Sequence, residues 1–143
     1  MSAPPPVLLE VRQIELAYGK ARAVNGATIE VAPSSITAIV GPNGAGKTSL
    51  LKAVSGLQPI RGGQIWFGGE RIDTLAEREV AARGIAHIPE GRRIFAKLTV
   101  LENLRLGAYL RADRAGIAQT LDGVFEAFPR LRERQGQRAG SLS

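Results

Sequence analysis

Apolar and polar positions alternate along this chain in two different rhythms. From Val7 to Ala17, Leu8, Leu9, Val11, Ile14 and Leu16 stand among Glu10 and the polar pair Arg12-Gln13, a strand-like mixture, and Tyr18-Gly19-Lys20 reads as a turn. Thr28 to Val31 alternates as a half-buried strand does, ended by Ala32-Pro33-Ser34. Ile36 to Val40 is a short apolar run whose Ile and Val content predicts a buried strand rather than a helix. Leu50, Leu51 and Val54 then recur at helical spacing between Lys47 and Val54, with Gly56 as the stop.

Further on, Pro59 to Gly63 predicts a turn, Gln64 to Phe67 a strand, and Gly68-Gly69 its hairpin-like end. Leu75 to Arg83 reads as a charged surface helix ending at Gly84, and Ile85 to Ile88 as another strand stopped by Pro89. Thr99 with Glu102 three residues later forms a capping box for a helix carrying Val100, Leu101, Leu104, Leu106 and Tyr109. A second helix is expected near Ile117 to Phe128, closed by Pro129, after which glycines and serines loosen the chain. No internal repeat is present. Strands dominate the first ninety or so residues, and the rest is helical or irregular.

Composition narrows the classes. The 143 residues suffice for one real core but not for a second full domain, and no apolar run approaches the roughly 20 residues that span a bilayer. Met1-Ser-Ala-Pro-Pro-Pro6 lacks the basic segment and apolar core of a secretory signal, so residues 1–6 are expected to be a disordered tail. Without cysteine there is neither a disulfide framework nor a thiolate nucleophile. The net charge of +6 raises the question of nucleic acid, since clustered Lys and Arg neutralise phosphates. The densest basic segments, Arg92-Arg93 and Arg130 to Arg134 with Arg138, carry no interleaved stacking aromatics and no zinc or helix-turn-helix pattern. No nucleic-acid partner is expected; a hydrated face or a protein interface accounts for the charge.

The candidate chemistry lies in Ile39 to Leu50, IVGPNGAGKTSL. Gly41, Gly46, Lys47 and Thr48 satisfy G-x-x-x-x-G-K-[ST], between a predicted strand and a predicted helix. Gly41 and Gly44 permit a tight loop whose amides turn inward, and the opening amides of the helix add partial positive charge, an arrangement that suits phosphate oxygens. Lys47 would set an ammonium between the outer phosphates, and the Thr48 hydroxyl would enter the shell of a Mg²⁺ ion. A glycine turn that merely packs a strand on a helix has no need of lysine and threonine after its last glycine. The cradle leaves base and reaction open, because ATPases, GTPases and small-molecule kinases share it. No Asn-Lys-x-Asp run points to guanine. His87, the one histidine, sits among Ile85, Ala86 and Ile88 and reads as a structural residue.

Taken together, GPNGAGKT at 41–48, Tyr18 upstream, HIPEGRRIF at 87–95 and LTVLENLRLGAY at 98–109 resemble the ATP-binding subunit of ATP-binding cassette transporters. The branch they look most like is the branched-chain amino acid importer ATPases, and the resemblance covers residues 7–143. Ala139 to Ser143 is similar to the approach to, and first two residues of, that family's signature sequence. The resemblance implies an α/β, P-loop nucleoside triphosphate hydrolase fold with an incomplete core sheet, an N-terminal antiparallel β subdomain and the start of a helical subdomain. Residues 7–98 would form the N-terminal part of the ATP-binding core and 99–143 the incomplete helical subdomain.

It also implies ATP and Mg²⁺ as cofactors. Gly41, Asn43, Gly44, Ala45, Gly46, Lys47, Thr48 and Ser49 would bind the phosphates, and Tyr18 would stack on adenine. Thr48 and Glu90 would face Mg²⁺, and Ser143 would contact the nucleotide of an opposite subunit. Glu90 departs from the superfamily, most of which has a glutamine sensing Mg²⁺ and the attacking water there. A carboxylate ligates Mg²⁺ more strongly than an amide but donates no hydrogen bond, which weakens a water-orienting role. Implied partners are a second ATP-binding subunit and membrane-embedded permease subunits met through the helical subdomain, with the protein peripheral at the cytoplasmic face of the inner membrane. The family's later Asp-Glu strand end and histidine have no counterpart in these residues, so the sequence resembles the first part of such an ATPase. Two readings stay open: a piece of an ATP-hydrolysing importer subunit, or a nucleotide-binding module without turnover.

Overall fold

The computed structural model describes residues 7–91 and 93–142. The tail expected over residues 1–6, Arg92 and the contact expected of Ser143 lie outside the described residues. The chain divides into two units, Met1–Ile88 and Pro89–Ser143.

In the first unit, β1 (Leu9–Tyr18) and β2 (Ala21–Val31) form an antiparallel hairpin, from Tyr18 opposite Ala21 at the tip to Leu9 opposite Val31. β3 (Gly62–Phe67) pairs with the other edge of β1, and the short β4 (Glu70–Arg71) with β3, so the sheet order is β2-β1-β3-β4. Strict alternation would bury every second residue of β1, yet Val11, Ile14 and Leu16 are the buried ones. A bulge at Arg12-Gln13 resets the rhythm: the register shifts between Val11 and Ile14, and Gln13 takes φ +48. The polar pair that interrupts the apolar pattern is therefore the bulge itself. Gly63 faces it across the ladder, where an added methyl would stand 2.5 Å from the carbonyl oxygens of both Arg12 and Gln13. The sheet's core face carries Val11, Ile14, Leu16 and Ile65, and onto it pack Leu50 and Ala53 of α1 (Lys47–Val54) and Val80 of α2 (Glu77–Ala82). Each such Leu, Ile or Val contributes about 1.5–3 kcal/mol by leaving water.

The second unit is helical: α3 (Val100–Leu106), α4 (Arg114–Ala127), α5 (Pro129–Glu133) and a single 3-10 turn at Ala139–Ser141. The predicted capping box at α3 is formed, with Thr99 N donating to Glu102 Oε2 at 2.7 Å and Glu102 N donating to Thr99 Oγ1 at 3.2 Å. The segment 135–140 runs beside 96–101, through bonds from Val100 N to Gln137 O, Ala139 N to Leu98 O and Gly140 N to Ala96 O. The basic run is partly neutralised within its own surface, as Arg130 pairs with Glu133, and Arg132 with Asp122 while lying over the Phe125 ring.

Three expectations are corrected. Ile36–Val40 and Ile85–Ile88, predicted as strands, join no ladder, and Ile36, Val40 and Ile88 are 100%, 88% and 90% exposed. A strand persists as such only where a neighbour accepts its backbone bonds, and among the described residues none pairs with either segment. Pro129 does not merely close the preceding helix: α4 ends at Ala127, and Pro129 opens α5 at the position where a missing N–H costs nothing.

Candidate functional site

The glycine-rich loop leads straight into α1, whose N-cap is Gly46 in the left-handed region at φ +85. Gly44, at φ +84, makes the preceding bend, so two backbone positions that favour glycine shape the loop. Gly46 has a further reason to lack a side chain. An added methyl would collide with the Ala23 carbonyl oxygen and lie 2.8 Å from Val24 Cγ2, so the loop rests directly on β2. The opening amides of α1 have no acceptor within the helix, no side chain caps them, and the first turn holds no acidic residue. The result is a patch of partial positive charge at the loop.

Lys47 lies across this patch, its Nζ donating to the Gly41 and Pro42 carbonyls at 2.8 Å each. Two of the three ammonium donors are thereby used to hold the side chain in place, leaving one for an incoming oxygen. Thr48 is exposed at the helix start, and its hydroxyl makes no hydrogen bond among the described residues. Next to it, Ser49 Oγ accepts from the Tyr18 hydroxyl at 3.3 Å. Tyr18, at the end of β1, is 47% exposed, so its ring is offered to solvent beside the loop rather than taken into the core.

The structure thus gathers Tyr18, Gly41, Asn43, Gly44, Ala45, Gly46, Lys47, Thr48 and Ser49 in one unit. Glu90 stands in the other, exposed, its carbonyl accepting from Arg93 Nε at 3.4 Å. Among the described residues no three of His, Asp and Glu gather into a metal-holding group. His87 Nδ1 lies 3.2 Å from Ser55 Oγ, which also donates to the Leu51 carbonyl at 2.8 Å, tying the histidine to the far end of α1. Sequence reasoning missed Arg61, whose Nη2 donates to the Gly19 carbonyl at 2.6 Å and holds the β1–β2 tip beside Tyr18. No local signal marks it, since the partners are 42 residues apart.

What this donor set fits is the terminal part of a nucleoside triphosphate. An ammonium held across a glycine-shaped loop, the uncapped opening amides of α1 and an exposed hydroxyl at the helix start complement phosphate oxygens and a hard cation bound among them.

A family model described as "ABC transporter" matches residues 24–143. Among curated proteins, the high-affinity branched-chain amino acid transport ATP-binding protein BraG of Pseudomonas aeruginosa is 38% identical over 136 residues, covering 95% of this chain and 58% of that protein. The probable branched-chain amino acid transport ATP-binding protein LivF of Archaeoglobus fulgidus is 35% identical over 136 residues, covering 95% and 57%. A solved ATP-binding subunit of an ABC transporter superposes with a TM-score of 0.82 at 29% identity, over 95% of this chain and 56% of that one. An ATP-binding cassette of an ABC transporter gives 0.83 at 24% identity, a likeness of fold. The chain therefore spans somewhat more than half the length of these relatives.

Proposed function

The chain belongs to the ABC transporter family, and from that premise we propose that it is the ATP-binding part of a branched-chain amino acid importer. The observation that carries the nucleotide role is the position of Lys47, its ammonium held across the glycine loop by the Gly41 and Pro42 carbonyls at the uncapped start of α1. Amides of Gly41, Asn43, Gly44 and Gly46 surround the phosphates, with Ala45, whose N–H bonds the Pro42 carbonyl at 3.3 Å, shaping the bend; Lys47 binds the outer ones, and Thr48 and Ser49 present hydroxyls beside them. Tyr18 supplies the ring for adenine.

The Thr48 hydroxyl would be this loop's ligand for Mg²⁺, which would supply charge neutralisation at the phosphates. Glu90 is assigned to the metal-facing loop and Ser143 to the nucleotide of the opposite subunit, on the resemblance of their positions alone. Hydrolysis, dimerisation with a second ATP-binding subunit, docking to permease subunits through the helical unit, and residence at the cytoplasmic face of the membrane belong to this proposal for the whole protein. No helix among the described residues is long and apolar enough to cross a membrane.

The test is a pair of titrations. Lys47→Ala removes the one point charge at the outer phosphates and is expected to weaken ATP binding by about 1.5–3 kcal/mol while leaving adenosine far less affected. Equal ATP curves for wild type and variant remove the assignment.

A further inference from the structure

Tyr18 closes β1, and the structure fixes its place from three sides. Across the hairpin it stands opposite Ala21. The turn between them begins at Gly19, at φ +58, whose carbonyl accepts from Arg61 Nη2 at 2.6 Å. The tyrosine hydroxyl donates to Ser49 Oγ, in the first turn of α1, at 3.3 Å. The same hairpin touches the phosphate loop at a second point, where Gly46 backs onto Ala23 and Val24. Ring and loop are therefore tied together twice, at the tip of β1 and along β2.

We propose that Ser49 and Arg61 are positioning residues for the nucleoside end of the ligand: together they hold the Tyr18 ring at a set distance from the loop Gly41 to Thr48, so that base and phosphates are read as one rigid length. The inference rests on the nucleotide reading above. With Tyr18 47% exposed, burial does not choose its rotamer. A half-solvated ring with one hydrogen bond takes the orientation that bond selects, and without it the ring has to be ordered at the moment of binding, which weakens stacking. Engaging the hydroxyl also leaves the ring face as the surface offered to a base. Arg61 acts one step further back, by fixing the turn on which the tyrosine stands.

ATP, adenosine and inorganic tripolyphosphate, titrated into wild type, Tyr18→Phe, Ser49→Ala, Arg61→Gln and the Tyr18→Phe/Ser49→Ala double variant, decide it. Tyr18→Phe keeps the ring and removes only the donor, so it and Ser49→Ala are each expected to weaken ATP and adenosine about 3- to 10-fold, the order of one hydrogen bond. The double variant should be no worse than the weaker single, because both remove one contact. Arg61→Gln lowers the same two affinities, while tripolyphosphate moves less than about twofold in Tyr18→Phe and Arg61→Gln. Unchanged ATP binding in Tyr18→Phe, additive losses in the double variant, or a loss of tripolyphosphate in Tyr18→Phe matching that of ATP each overturn the proposal. Tyr18→Ala separates the levels. If it weakens ATP while Tyr18→Phe does not, the base reading stands and the positioning role falls; if neither does, the base reading falls and this inference with it.

Discussion

A methyl group on Gly46 would run into the carbonyl oxygen of Ala23, so the glycine-rich loop rests on β2 at a point where no side chain fits. Gly44 has the same left-handed backbone, φ +84 against +85, but nothing within 4 Å of an added methyl. Strain alone costs about 1–2 kcal/mol at either position. Gly46→Ala is expected to lose at least that much more than Gly44→Ala in urea unfolding, and to lose more ATP affinity. Equal losses would mean that the close approach to Ala23 contributes nothing.

Tyr18→Ala is expected to weaken ATP and ADP about equally, by roughly 1–3 kcal/mol, since a stacking ring acts on the base and not on the phosphates. Isothermal titration with both nucleotides checks this. A variant that separates ATP sharply from ADP would place Tyr18 at the phosphates instead.

Asp73 should make the first unit sensitive to acid. Its carboxylate is 4% exposed, accepts from the Ile65 amide at 2.8 Å and pairs with Arg71 at 2.9 Å. Burial alone would raise its pKa, but the bonds from Arg71 and Ile65 outweigh burial and hold it below the ordinary 3.8. A depressed folded pKa gives stability that is present above the unfolded value and is lost as pH falls through the folded one. Urea midpoints should therefore drop as pH falls below about 3.8, and Asp73→Ala should flatten that drop while costing about 1–3 kcal/mol at neutral pH. An unchanged pH profile in the variant would assign the acid sensitivity elsewhere.

Asn103 clamps the chain ahead of α3. Its Oδ1 accepts from Phe95 N at 2.9 Å, and its Nδ2 donates to the carbonyls of Phe95 at 3.1 Å and Thr99 at 2.9 Å. Asn103→Ala should speed hydrogen exchange at the Phe95 amide by an order of magnitude or so, as the loss of about 1–2 kcal/mol of local protection implies. Asn103→Asp keeps the acceptor but sets a carboxylate against two carbonyls, so it should destabilise the unit at least as much as alanine. Rescue by aspartate would show that the acceptor alone matters.

What the sequence by itself determined is local. The glycine-rich loop leading into a helix is legible because its glycines, Lys47 and Thr48 lie within one loop and one helical turn, and α1 spans Lys47–Val54 as its apolar spacing predicts. The Thr99–Glu102 box is legible for the same reason, since both partners lie within a single turn. Tertiary structure decided whatever depends on which distant segments meet. Ile36–Val40 and Ile85–Ile88 have the composition of buried strands, but composition does not supply a ladder partner, and both lie outside the sheet. The bulge at Arg12-Gln13, the seat of Gly46 on Ala23 and the bond from Arg61 to the Gly19 carbonyl each join parts of the chain that no short window contains. Backbone propensity and side-chain pattern are set by neighbours in sequence, whereas close approach and ladder pairing are set by neighbours in space, which is why the loop-to-helix turn could be read from the chain and its footing on the hairpin could not.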